Sequence, residues 1–483
     1  MVTKYEVMLL CAVLIPVIGA FFLPLVGKIS LRLRNWLALC FVAASLAFSL
    51  TLIAPVLSGQ TISISKQFTL GINFTLNADA LAVFMAIVSS LISSVIVLYS
   101  FGYISHYENQ NEYYSMVVLF LGSMMGLIFS GNLILMYVFW EITAITSWRL
   151  IGFFREKAYV LKADKAFLVT VFGALAMLIG FIIIYQQTNS FDLLTIKATL
   201  QNNPIPNIAV LLILIGILSK SATLPFHTWL PDAGVAPSPV TALLHAAVLV
   251  KIGVYVFARL FLATFTFEQF WHVAVPWIAA VSAIVSAGAA LRETDLKRII
   301  AYSTISQIGF IFFGLALGND VAIVGGLLYI LMHGIAKAGL FLCAGIVEQN
   351  TKIKDITKLG GLISTMPVTA VSFLFCAFSV MGVPPFGGFF SKYLIFAGVV
   401  KSGHIVIGLT FLVIAFMTIL YLFRVFNMVF LGESQGPKAR EASPVMVISV
   451  AMLAVLSIVS GILVWYPMKF AQFSIQQMLG LVR

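Results

Sequence analysis

Apolar residues recur in runs of about twenty from one end of the chain to the other. An α-helix needs a run of that length to cross the hydrocarbon of a bilayer, because each residue adds only about 1.5 Å. Such runs fall at 5–26, 35–56, 79–101, 113–130, 132–153, 164–185, 207–228, 238–260, 271–291, 298–318, 321–347, 367–398, 404–430 and 445–467. This spacing predicts an all-α, polytopic membrane protein of about fourteen transmembrane helices. No second, water-soluble domain fits between the runs. Composition agrees, with 61% hydrophobic and 9% charged residues against about 25% charged in soluble domains. The run from Val7 to Val26 exceeds a signal-peptide core and no A-x-A site follows it, so it is read as an uncleaved helix.

The net charge of +11 does not imply nucleic acid. In a polytopic chain, basic residues gather in cytoplasmic connections. With both termini outside, sixteen of the 28 Lys and Arg fall in inward connections: Lys28, Arg32, Arg34, Arg155, Lys157, Lys162, Lys165, Arg292, Lys297, Arg298, Lys352, Lys354, Lys358, Arg424, Lys438 and Arg440. Seven fall outward (Lys4, Lys66, Lys197, Arg259, Lys401, Lys469 and Arg483), and the rest lie within helices. That imbalance predicts a cell inner (plasma) membrane protein with both termini outside. Cys11, Cys40, Cys343 and Cys376 all lie in apolar runs and form no C-x-x-C pair. Iron–sulfur and zinc sites need clustered ligands, so neither metal nor cofactor is expected, and any redox chemistry belongs to a partner.

Two runs are interrupted in matching ways. Pro225 closes Lys220-Ser-Ala-Thr-Leu-Pro225, and Pro384-Pro385-Phe-Gly387-Gly388 precedes Lys392. Proline removes a backbone donor, and carbonyls freed in lipid survive only where protein or a cavity receives them. Broken helices at corresponding places point to inverted repeats with a site at the break. The expected layout is three helices in 1–112, a first inverted five-helix repeat in 113–260, a second in 271–430, and a last helix in 445–483.

Five charged residues lie deep in apolar runs: Glu141, Lys220, Lys251, Lys337 and Lys392, accompanied by His245 and His333. A central charge costs at least about 2.5–3.5 kcal/mol. Four cations cannot neutralise one anion pairwise, so snorkelling or pairing does not account for the set. Histidine titrates near neutrality and desolvation disfavours a charged amine, so such groups can take up and release protons. His333 and Lys337 share a helix face at i and i+4. Glu141 and Lys220 are expected to form a switchable ion pair. The hydroxyls of Thr143, Ser219, Ser221, Thr223, Ser238 and Thr241 are expected to carry water between the charged sites. Asp232 is read as a turn cap, and Asp295 with Lys297 and Arg298 as a loop ion pair. No G-x-x-x-x-G-K-[ST] motif occurs, which disfavours ATP drive within the chain.

These segments resemble the antiporter-like subunits of respiratory complex I, of Mrp cation/proton antiporters and of group 4 membrane hydrogenases. The likeness covers roughly 75–430. It is carried by Phe139-Trp-Glu141, by Lys220 to Asp232 (KSATLPFHTWLPD), by Ala236 to His245 (APSPVTALLH), by Leu291 to Gln307 (LRETDLKRIIAYSTISQ), by His333-Gly-Ile-Ala-Lys337 and by Gly382 to Lys392 (GVPPFGGFFSK). The resemblance implies that Glu141 pairs with Lys220, that His245 and Lys251 form a relay, that His333 and Lys337 link the halves, and that Lys392 is a terminal proton site open to the outside. Arg149 stands where many members carry an uncharged residue. The loop 351–361 looks closest to Mrp and hydrogenase-type members. The chain ends soon after its last apolar run, without a lateral helix or long extension, which favours a shorter paralogue.

The expected function is therefore a proton or sodium/proton translocating subunit of a multisubunit complex. Its partners would be other membrane subunits, homologous antiporter-like ones included. The alternatives are a self-sufficient cation/proton antiporter and a membrane scaffold for a peripheral redox or carbon-uptake enzyme. The topology has a direct check. Single cysteines replacing Lys66 and Lys354 should react with a membrane-impermeant maleimide from opposite sides of the membrane, and labelling of both from one side would refute the orientation.

Overall fold

The computed structural model describes residues 3–67, 73–201, 203–433 and 439–480. Lys438 and Arg483 of the charge count lie outside them. Twelve helices are long and apolar enough to cross a membrane. They are α1 (Lys4–Ile29), α2 (Leu31–Leu57, with a kink at Leu52), α3 (Ala80–His106), α4 (Gln110–Phe129), α5 (Leu133–Ile151), α6 (Lys157–Thr188), α8 (Ser238–Leu262), α9 (Gln269–Arg292), α10 (Leu296–Ala316), α11 (Asp320–Thr351), α14 (Ile405–Phe430) and α15 (Pro444–Ile462). Two more of the apolar runs fold as shorter helices. One is α7 (Asn207–Lys220); the other divides into α12 (Pro367–Met381) and α13 (Gly387–Lys401). The chain is a multi-pass membrane protein.

Polar residues set many of the helix starts. Asp79, Asn132, Asp295 and Asn319 each accept a backbone N–H from the first turn of α3, α5, α10 and α11, which satisfies donors the helix itself cannot. Asp295 therefore caps a helix and does not form the expected loop ion pair. Lys297 pairs instead with Glu348 at 2.7 Å, and Arg298 pairs with Asp232 and Glu293, each at 2.8 Å.

Burial sorts the helices into a centre and a rim. The most apolar window of α8 is wholly buried, and those of α10 and α11 are 94% buried, against 28% for α2 and 39% for α1, α14 and α15. A helix apolar on every face belongs in the core. The rim helices turn Phe21, Leu168, Phe172 and Phe416 outward, as lipid contact requires. Helices α9 and α10, α6 and α7, α10 and α11, and α11 and α13 pack side by side.

Two elements depart from the purely helical expectation. The segments Ile62–Gln67 (β1) and Asn73–Ala78 (β2) pair antiparallel, Ile62 opposite Ala78. Apolar and polar residues alternate there with a period of two, which suits a half-buried strand. The hairpin also anchors the turn between α4 and α5, where the Gly131 N–H donates to the Thr75 carbonyl at 2.8 Å. Second, the chain continues past α15 into α16 (Trp465–Met478), which holds Trp465, Tyr466 and Lys469 on exposed positions. Aromatic and basic residues on an exposed face suit a helix lying at a membrane interface.

Ion pairs clasp both ends of the bundle. Asp232, expected to cap a turn, receives Lys165 from α6 and Arg298 from α10, both at 2.8 Å. Burial pushes its carboxyl up, but the two cations outweigh burial and hold it below the ordinary carboxylate range. Arg149 and Arg155 both bind Glu112, the latter at 2.7 Å, so Arg149 is engaged away from Glu141. Arg34 is buried against Asn35, Asn111 and Gln110. Arg259, counted on the outward side at the end of the run 238–260, is buried and pairs with Asp79 while donating to the Tyr255 hydroxyl at 3.0 Å. Removing one partner of such a pair strands the other charge. Arg259→Gln should destabilise the protein by about 3 kcal/mol. Adding Asp79→Asn should restore part of that, as read by thermal unfolding in detergent; equal stability of Arg259→Gln and the unaltered protein would refute the pair's role.

Candidate functional site

Helix α7 stops at Lys220, and the chain turns through Ala222, whose φ of 51° lies in the left-handed region. The carbonyls left open at such an end need partners. The Trp229 indole donates to the Ser219 carbonyl at 3.0 Å, and the Leu224 N–H donates to the Ser282 hydroxyl at 3.1 Å. Between α12 and α13 the same task falls to Gly382, at φ 85°, whose N–H returns to the Phe378 carbonyl at 3.0 Å. The Leu224–Pro225 and Pro384–Pro385 bonds at these two places are cis.

Each interruption has a buried or half-buried lysine beside it. Lys220 is buried; its ammonium donates to the Trp140 carbonyl at 3.1 Å and lies 5.2 Å from the centre of the Trp140 ring. Lys392 donates to the Val380 carbonyl at 2.7 Å. Val380 lies in the last turn of α12, where carbonyls lack helical partners and the helix dipole favours a cation. The same ammonium lies 4.6 Å from the Phe310 ring centre and 5.7 Å from that of Tyr329.

Glu141 is not in contact with Lys220: among the described residues no ion pair joins them. Lys220 reaches the carbonyl of the neighbouring Trp140 instead, while one oxygen of Glu141 is buried with no hydrogen-bond partner. The expected pair is thus open, its members on adjacent residues of one contact. Several of the hydroxyls expected to carry water between the charged sites also bond to nearby carbonyls. Thr143, Ser219, Ser221 and Thr241 donate to carbonyls of their own helices, at 2.6, 2.8, 2.7 and 3.3 Å. In a dry helix that is the nearest acceptor for a short side chain.

The middle of the row sits on α8 and α11. In α8 the residues Leu243–Ala247 form a π-helical turn that includes His245, and Val248 breaks the regular dihedrals before Lys251. π-Turns inside helices are frequent at functional sites. Lys251 Nζ meets His333 Nδ1 at 2.8 Å, with both residues wholly buried. Such a bond needs a lone pair from one partner, so the two cannot both be fully protonated while they hold it. The His245 ring packs against Phe341 with centres 4.4 Å apart and planes tilted by 41°, and neither ring nitrogen has a partner. Lys337 donates to the Ser303 hydroxyl at 2.6 Å and the Ile300 carbonyl at 3.3 Å.

Sequence reasoning missed what lies between Lys337 and Lys392. The Ser303 hydroxyl meets the Tyr421 hydroxyl at 2.8 Å. Gln307 donates to Thr418 at 3.1 Å and to Tyr421 at 3.4 Å, and accepts from the Tyr329 hydroxyl at 2.6 Å. Tyr329 then lies against both His333, at 5.7 Å between rings, and Lys392. Ser303 and Gln307 stand inside a quoted motif. Tyr421 and Thr418 gave no signal, being single hydroxyls in an apolar run.

Residues 130–418 match the family model described as NADH:quinone oxidoreductase/Mrp antiporter, TM. Residues 66–114 match that of the complex I chain 5 N-terminus. The chain is 34% identical over 485 residues to the Na(+)/H(+) antiporter subunit A1 of Staphylococcus haemolyticus, covering 93% of this chain and 60% of that one. It is 35% identical to the same subunit of Staphylococcus saprophyticus, with the same coverage. The chain thus spans about 60% of the length of the curated relatives it matches. Among solved structures, a chain of the Mrp complex of Dietzia sp. superposes with a TM-score of 0.88 at 22% identity, over 98% of this chain and 97% of that one. A chain of an archaeal membrane-bound sulfane sulfur reductase superposes with a TM-score of 0.89 at 25% identity, over 99% of each. The chain belongs to the NADH:quinone oxidoreductase/Mrp antiporter transmembrane family.

Proposed function

We propose that this chain is the ion-translocating subunit of a multisubunit plasma-membrane complex, moving protons along its buried amines and imidazoles in exchange for sodium. The observation that carries the reading is the row itself. Lys220, Lys251, His333 and Lys337 are wholly buried, and Lys392 sits beside a helix end, with Glu141 the one deep carboxylate at the far side. A scaffold would have no use for charges this costly. Sodium exchange is favoured because the Staphylococcus relatives are Na(+)/H(+) antiporter subunits by name. A second reading, proton movement driven by a redox partner, is favoured by the likeness to the sulfane sulfur reductase chain. In both, the partners are other membrane subunits, homologous ones among them.

In this reading the chain crosses the membrane fourteen times with both termini outside. Helix α7 with its following turn, and α12 with α13, are two broken crossings in inverted repeats spanning 113–260 and 271–430. Residues 1–112 and 445–483 flank the repeats. Glu141 and Lys220 close into an ion pair in one step of the cycle and separate in another. His245 and Lys251 pass charge to His333 and Lys337, and Lys392 releases it outward. Each lysine is useful because it can lose its proton.

Lys392 separates this reading from simple anchoring. An arginine would keep the bond to Val380 but cannot deprotonate in a protein. Lys392→Arg and Lys392→Met should both assemble and both lower proton translocation in membrane vesicles by at least about tenfold. If Lys392 only anchors the helix, Lys392→Arg transports normally, and that result would overturn the proposal.

A further inference from the structure

The hydrogen bonds that run from Lys337 toward Lys392 form two stretches that meet at one amide, and the second stops at Tyr329, whose ring centre lies 5.7 Å from the Lys392 ammonium. From Lys337 they pass to Ser303 at 2.6 Å, to Tyr421 at 2.8 Å and on to Thr418 at 3.2 Å. There the hydroxyl chain ends, because Thr418 donates its own hydrogen to the Ile414 carbonyl at 2.8 Å. On the other side Tyr329, next to Lys392, donates to Gln307 at 2.6 Å. Gln307 joins the stretches, with its NH₂ on Thr418 and Tyr421 and its carbonyl on Tyr329. Ser303, Gln307, Tyr329, Thr418 and Tyr421 are all fully buried.

A hydroxyl passes a proton by accepting one on a lone pair and releasing its own. A carboxyl does the same between its two oxygens. An amide offers donors and an acceptor at fixed, separate atoms and does not titrate. It therefore completes a hydrogen-bond network without conducting through it. We infer that Gln307 is an insulating latch, the amide break that keeps protons from running passively between Lys337 and Lys392. The inference rests on the proposed proton path and adds its control point. Transfer occurs only when Gln307 swings aside or water enters between Tyr421 and Tyr329. Gln307 bonds to Thr418, Tyr421 and Tyr329 and acts on the path through them; it is a positioning residue.

The test uses everted vesicles from cells making the full complex, with no sodium gradient and no electron donor, so that only passive proton leak is read. Gln307→Glu keeps the shape and supplies a proton-passing group. It should raise the leak about tenfold or more. Gln307→Ser, which leaves room for water, should raise it too and serves if the glutamate variant fails to assemble. Adding Lys392→Met should return the leak to the level of the unaltered complex. A merely structural Gln307 predicts lower assembly with no leak. An assembled variant with unchanged leak, or a leak that survives Lys392→Met, overturns the latch. Coupled transport by Lys392→Met alone is the separate control: if it fails while Gln307→Glu stays tight, only the latch falls. If Lys392→Met transports normally, the path and the latch fall together.

Discussion

Hydrocarbon offers no hydrogen bonds, and everything else in this molecule follows from that. A backbone group or an ammonium taken into a bilayer must find its partner in the protein or pay several kcal/mol. Three of the deep lysines meet this demand by donating to main-chain carbonyls: Lys220 to Trp140, Lys337 to Ile300 and Lys392 to Val380. The fourth, Lys251, takes an imidazole nitrogen. The carbonyl at Val380 is open because α12 ends there, so the interruption that weakens the helix also creates the lysine's acceptor. Position in the fold and capacity to carry a cation are one arrangement.

The same constraint divides charge by depth. Carboxylate–cation pairs gather toward the ends of the bundle: Asp79 with Arg259 on one side, Asp232 with Lys165 and Arg298, and Glu348 with Lys297, on the other. Such pairs hold fixed charges and fasten helices. The middle holds amines and imidazoles with few anions, groups that can exist neutral. Fixed charge at the ends and removable charge in the middle suits the proposed pathway for single protons, since two like charges 10 Å apart repel by about 1–2 kcal/mol at an effective dielectric of 20.

Much of this was legible in the chain. Helix positions follow from apolar length, and the deep lysines stand out because their cost is independent of context. What failed has physical reasons too. Arg259 stands at the end of the run 238–260 and counted only as an outward basic residue, because its carboxylate partner Asp79 is distant in sequence. Asp232 and Asp295 were read by local turn chemistry; tertiary cations decided the first and a helix start the second. The β1–β2 hairpin is too short to stand against helix-length periodicity, and α16 is too polar to register as a crossing. Whether Glu141 and Lys220 stand closed or open in a given conformation is not written in the sequence, because a switchable pair has the same residues in both states; here Lys220 holds the Trp140 carbonyl.

The last step concerns why a conducting row should contain an amide at all. On the proposed proton path, a row lined end to end with hydroxyls would be fully satisfied and would relay protons down their gradient without coupling. An apolar side chain in place of Gln307 would leave the buried Tyr329 hydroxyl without its acceptor, at about 1–3 kcal/mol, while Tyr421 and Thr418 would keep Ser303, each other and the Ile414 carbonyl. An amide meets both demands. Gln307 bonds to all three hydroxyls at distances between 2.6 and 3.4 Å while passing no proton itself. Glutamine at this point reconciles the two requirements that the membrane imposes on any buried ion path, saturation of hydrogen bonds and interruption of conduction.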